Sequence, residues 1–146
     1  MRIFGILFVI LFGIAMTLWV LRTPNMDIAV LEAKYGGPPS QFVTLAVGER
    51  VHFRDQGNRH GRVLILLHGT AASLHTWEPW VALLGDDYRI ITLDLPGHGL
   101  TGPVPDCTYS VECAVRVVEA VRQHLGLEHF VLGGNSFGAI FLGVMG

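Results

Sequence analysis

Five residues near the end of the chain, Gly134-Asn135-Ser136-Phe137-Gly138, follow an apolar stretch and precede an apolar tail. A serine hydroxyl attacks a carbonyl only when its proton is removed and the resulting oxyanion is stabilised. Glycines two positions before and after the serine permit a sharp strand-to-helix turn, which lifts the hydroxyl above a sheet. The Phe137 amide then lies at a helix start and can face an oxyanion. A second donor must come from another loop. "LILLHGT" supplies one candidate: Gly69 lets the chain turn, and the Thr70 amide follows it.

Those loops need a scaffold. "QFVTLAV" and "RVHFRDQG" read as two strands joined at Gly48-Glu49, a hairpin with one solvated face. "RVLILLHG" is continuously apolar, as expected of a strand buried on both faces of a parallel sheet. A helix is expected from Pro79 to Gly85, then a strand in "YRIITLDLPGHG". The clearest helix is "YSVECAVRVVEAVRQHLGLEH", with Val111, Ala114, Val115, Val118, Val121 and Leu125 on one face. Ser110 can cap its start and Gly126 its end. A short strand, "HFVLGG", leads to Ser136. The order β-β-β-α-β-α-β-α implies an α/β fold with a mostly parallel sheet. Three loops fall at the carboxyl ends of its strands, where such sheets place ligands: His68–Thr70, Asp94–Gly99 and Gly134–Gly138.

"LILLHGT", "DLPGHGLTG" and "LGGNSFG", in this order and spacing, resemble the α/β-hydrolase superfamily. The branch is that of carbon–carbon bond hydrolases, proline iminopeptidases and small esterases. The resemblance spans about Gln41 to Gly138, the N-terminal half of such a domain. It implies Ser136 as nucleophile, the Thr70 and Phe137 amides as oxyanion donors, and loop-structural roles for His68, Gly69, Gly134, Gly138, Asp94 and His98. It implies a small acyl or C–C substrate and no cofactor. Ester, amide and C–C substrates stay open. The chain departs from the pattern at Ala139, where family members usually carry a second glycine, and in "IFLGVMG", which lacks amphipathic spacing.

The triad order in this fold is Ser, then Asp or Glu, then His. Residues 137–146 contain neither. The expectation is therefore the front half of a hydrolase, inactive or weak as it stands, with a non-catalytic binding module as the alternative. Among upstream histidines, His68 reads as a brace of the oxyanion loop or a substitute base. His98 and Asp94 read as loop-forming groups and His75 as a group at the pocket mouth. His52, His60, His124 and His129 read as surface or edge residues.

The remaining features concern placement. "IFGILFVILFGIAMTLWVL", Ile3–Leu21, is 19 residues without a charge, bracketed by Arg2 and Arg22. At about 1.5 Å per residue it covers roughly 28 Å, close to a bilayer core. Trp19 is positioned as an interfacial aromatic, and Pro24 stops the helix. A single-pass anchor is expected, ahead of a cleaved signal or a core helix, with the globular part extracytoplasmic. The division is then 1–24 anchor, 25–40 linker with a short helix at Met26–Tyr35, and 41–146 hydrolase-like domain. A net charge of −2 with scattered signs gives no nucleic-acid surface. No Cys/His spacing suits a metal. Cys107 and Cys113 read as unpaired thiols rather than a disulfide.

Overall fold

The computed structural model describes residues 2–22, 26–45, 48, 50–104, 107 and 109–144, with the side chains of the first helix from Phe4 onward. The elements are α1 (Arg2–Val20), α2 (Ile28–Tyr35), β1 (Ser40–Thr44), β2 (Arg50–Gly57), β3 (Arg62–Leu67), α3 (Glu78–Leu84), β4 (Tyr88–Leu93), α4 (Val111–His124) and β5 (Val131–Gly134). A 3₁₀ turn, Leu74–Trp77, precedes α3, and a second follows β5 over Ser136–Gly143. The segment after the elbow is thus wound as 3₁₀.

The five strands form one mixed sheet in the order β1-β2-β4-β3-β5. β2 runs antiparallel to both neighbours, while β3 is parallel to β4 and β5. Alternation along β3 decides what each face covers. Ile65 and Leu67 join Ile91 and Leu93 of β4 against Ala114, Val117, Val118 and Val121 of α4. Leu66 and Ile90 point the other way, onto Trp77 and the α3 residues Val81 and Leu84. Each fully buried aliphatic side chain of this kind contributes about 1.5–3 kcal/mol.

Helix α4 starts where Ser110 caps it, its hydroxyl accepting from the Cys113 amide. It ends before Gly126, whose φ of +62° suits glycine. In α3, Pro79 occupies the first turn, where its missing N–H costs nothing.

Three expectations need correction. β2 is not half solvated: Val51, His52, Phe53, Arg54 and Asp55 are all buried, with Val51 and Phe53 in the core that α4 covers and the alternate residues His52 and Arg54 against Asp94, Glu78 and His75. Its polar residues are paired instead: Arg54 with Ser40, Glu78 and His75, and Asp55 with Arg59 and Arg89. His52 is accordingly a core residue, not a surface one. Cys107 and Cys113 are joined by a disulfide. The turn of chain before α4 brings their α-carbons to 5.7 Å, within bonding reach. Among the described residues no helix is long and apolar enough to cross a membrane. α1 is apolar and exposed along its described length.

The segment read as a linker contains α2, which is docked. Asp27 caps its start and Glu32 forms a two-pronged pair with Arg50 on β2. Ala46, Val47, Glu49 and Pro24 lie outside the described residues.

Candidate active site

The parallel register does the positioning. Leu67 at the end of β3 lies level with Leu93 of β4 and with Gly134 of β5. The loops that follow, beginning at His68, Asp94 and Asn135, therefore leave the sheet at one edge.

Ser136 has φ +53°, a left-handed conformation unusual for a residue with a side chain. The glycines around it show why the turn needs them. A β-carbon on Gly134 would overlap the Gly138 carbonyl, and one on Gly138 would overlap the Leu67 carbonyl. The Asn135 amide donates to Leu67 O (3.1 Å), and the Gly138 amide to Asn135 O (2.9 Å). Phe141 is fully buried and stacks edge-on with Phe137 at 5.3 Å, holding the following turn down. Ser136 itself is exposed.

Gly69 meets this turn. A β-carbon there would lie 3.0 Å from Ser136 Cβ and 3.6 Å from Ser136 Oγ. The residue after Gly69 is Thr70, so β3's loop and the elbow are neighbours. Thr70 and Phe137 line a single cavity of about 320 Å³, together with Pro96, His98, Tyr109 and Ala114.

Asp94 organises the middle loop. Its Oδ1 accepts from the Leu74 amide (2.8 Å), and its Oδ2 from His52 Nδ1 (2.7 Å) and the Leu100 amide (2.8 Å). Burial alone would raise its pKa. The His52 N–H and the two amides outweigh that and hold the carboxyl below its ordinary value. Gly99 is required beside it, since a β-carbon there would overlap the carboxylate. His52 Nε2 is buried with no hydrogen-bond partner among the described residues. Sequence reasoning missed His52. Its one signal was a position two residues into a strand whose antiparallel partner ends at Leu93.

The two histidines at this edge are already committed. His68 is fully buried, its Nδ1–H donates to Gly69 O (2.8 Å), and its Nε2 accepts from the Leu95 amide (3.0 Å). Desolvation is the main reason its pKa is lowered, so the ring is neutral. His98 Nδ1–H donates to Pro96 O (2.9 Å), and its Nε2 accepts from the Ala71 amide (3.4 Å). Each ring ties loop to loop, and neither has a free lone pair for a serine proton. His75 lies on a different cavity, with Leu31, Tyr35, Ser73 and Leu100. Burial and the Arg54 charge lower its pKa. His60, His124 and His129 are exposed. Among the described residues no cluster of His, Cys, Asp or Glu could hold a metal ion.

The fold that carries this strained serine turn has counterparts among known proteins. The sequence pattern of the alpha/beta hydrolase fold matches residues 62–144. The chain belongs to the alpha/beta hydrolase fold family. It is similar to a serine hydrolase-like protein of Danio rerio, 37% identical over 89 residues, covering 60% of this chain and 27% of that one. It is also similar to N-formylmaleamate deformylase of Pseudomonas putida, 33% identical over 96 residues, covering 66% of this chain and 35% of that protein. Among solved structures it resembles Cfl2 of Burkholderia cenocepacia, with TM-score 0.65, 27% identity, and 73% and 37% of the two chains covered. Epoxide hydrolase VrEH1 of Vigna radiata gives TM-score 0.63 and 26% identity, over 71% and 33%. The chain thus spans about a third or less of the length of the curated hydrolases it matches. Within that family it presents five strands of the sheet and the turn that carries Ser136.

Proposed function

We propose that the chain carries the nucleophile and oxyanion part of a serine hydrolase acting on ester, amide or C–C bonds of small molecules. Ser136 Oγ is the nucleophile, and the Thr70 and Phe137 amides stabilise the oxyanion. The observation that carries this reading is the left-handed, exposed Ser136 set between two glycines and against Gly69. A serine at this position, whose hydroxyl adds to a carbonyl once its proton is taken, supports acyl chemistry. The deformylase relative supports a small substrate.

Residues 137–146 include no acid or histidine, and His68 and His98 are engaged. In the chain as given, the proton of Ser136 goes to solvent base. The test is an alkyl fluorophosphonate: the Oγ–P bond forms, the P–F bond breaks, fluoride leaves, and hydroxide takes the proton. Expected is slow phosphonylation of Ser136 whose rate rises with pH, seen by peptide mass spectrometry and abolished by Ser136→Ala. A folded chain with no label on Ser136 would contradict the reading and leave the non-catalytic binding module in its place.

The proposed location is a lipid bilayer, with residues 3–21 as anchor and the domain on the oxidising side. Ile3–Leu21 is a run of 19 uncharged residues, within the roughly 17–25 needed to span. The Cys107–Cys113 disulfide supports an oxidising compartment. Carbonate extraction of membranes tests the anchor. The chain should stay in the pellet and move to the supernatant in Leu11→Arg, a change that costs about 3 kcal/mol at a bilayer centre. A wild-type chain released by carbonate would sink the anchor.

A further inference from the structure

The cavity that Thr70 and Phe137 line has a further wall that the reading of Ser136 does not use. Tyr109 stands in that wall with φ +51°. Its ring lies on Gly97 of the Asp94–Gly99 loop: a β-carbon on Gly97 would come within 2.6 Å of Tyr109 Cε1 and 3.2 Å of Cδ1. A side chain held in left-handed backbone persists only where its surroundings impose it. Here two neighbours impose it. The Cys107–Cys113 bond, buried with Val104, closes the chain around residue 109. On the C-terminal side, Ser110 is fixed as the cap of α4. Tyr109 is nonetheless more than half exposed, so its ring is not there to fill a core.

We propose that Tyr109 is a specificity-determining residue: its ring, clamped by the Cys107–Cys113 disulfide, forms the apolar wall against which a substrate's acyl chain lies while its carbonyl oxygen meets the Thr70 and Phe137 amides. The inference rests on the reading of Ser136 as the reacting group. Phe137, Ala114 and Pro96 line the same cavity and are apolar, beside Thr70, His98 and Ser110. The volume of about 320 Å³ is at the lower end of small-molecule sites. The ligand class is therefore a short-chain acyl group rather than a long-chain lipid or a charged one.

The test uses two carboxylate probes, hexanoate and acetate, titrated into the full chain in lipid nanodiscs at pH 7 and followed by the Thr70, Ala114 and Phe137 amide resonances. Both place a carboxylate at the amides, and only hexanoate reaches the wall. Tyr109→Asn removes the ring with a residue that tolerates positive φ, and Tyr109→Phe keeps the ring. Hexanoate should bind about tenfold more weakly to Tyr109→Asn, an aromatic contact's worth of affinity, and unchanged to Tyr109→Phe. Acetate should bind all forms alike. Cys107→Ala/Cys113→Ala should weaken hexanoate and spare acetate, as the loss of the clamp requires. Equal hexanoate affinity in Tyr109→Asn and wild type, or equal weakening of both probes, would overturn the proposal. Unchanged hexanoate affinity in the double cysteine variant would overturn the clamp. The reading of Ser136 stands or falls separately, because Ser136→Ala leaves the wall and amides in place and phosphonylation does not involve Tyr109.

Discussion

Gly138 and the carbonyl of Leu67 are in such close contact that any side chain at 138 would occupy the space of the Leu67 oxygen. The contact joins the last residue of β3 to the turn that carries Ser136, so it fixes the height of that hydroxyl over the sheet. Gly138→Ala must push the turn away from β3. The expected cost is about 1–3 kcal/mol, the usual range for overpacking a tight contact, read as a lower denaturant midpoint. Phosphonylation of Ser136 should fall more than the stability change alone explains, because the amide of Phe137 moves with the turn.

Ser136 pays for its geometry with backbone strain. A non-glycine residue held at positive φ costs on the order of 1–3 kcal/mol, and glycine removes that cost while losing some of it again to chain entropy. Ser136→Gly should therefore raise the unfolding free energy by about 1 kcal/mol while abolishing labelling. Equilibrium denaturation of the two proteins checks it. A variant no more stable than wild type would mean that the turn is relaxed with serine in place.

Asp94 makes acid sensitivity a property of the sheet edge that carries Ser136. Its folded-state pKa lies below the ordinary 3.8. A depressed carboxylate contributes stability that is present above the unfolded value and lost as pH falls through the folded one. Asp94→Asn keeps one acceptor oxygen where the carboxylate offers two. It can serve the Leu74 amide on one side or the His52 and Leu100 donors on the other, and its NH₂ faces whichever it does not serve. A loss of about 2–3 kcal/mol at neutral pH follows, together with a flatter stability profile below about pH 4. Urea titrations from pH 3 to 7 compare the two.

The parallel strands and their loops were legible because their signals are local: a continuous apolar run, a glycine pair about a serine, a capped amphipathic helix. The same holds for α4, whose inward face carries Ala114, Val118 and Val121 as its spacing requires. β2 was misread because alternation reports what a strand's faces are made of, not where it sits. Inside the sheet, the polar residues His52, Arg54 and Asp55 are buried and paired with partners distant in sequence. The Cys107–Cys113 bond was missed for a related reason, since six residues of separation fit a loop of many shapes and only the approach to α4 closes it. Tyr109 gave no signal, because its importance lies in a contact with Gly97 twelve residues earlier.

His68 should give the domain a second, milder pH dependence. Its Nε2 lone pair accepts from the Leu95 amide, so a proton there would set two N–H groups against each other in a buried site. Desolvation first, with the neighbouring His98 adding to it, holds its pKa below the ordinary 6.5 against the opposing pull of the Gly69 carbonyl and the Asp94 charge. The sign follows from linkage. Below pH 6.5 the unfolded chain takes up a proton that the folded chain refuses. Stability therefore drops as pH falls, until the folded-state pKa is reached and both states are charged. His75 is lowered for similar reasons and adds to the same slope. His68→Asn keeps a side-chain oxygen able to accept from Leu95 and cannot titrate. Its stability should change less between pH 7.5 and 5.5 than that of the wild type. Imidazole proton shifts supply the direct check. A His68 resonance titrating at or above 6.5 would show a free ring, one able to serve as a base for Ser136.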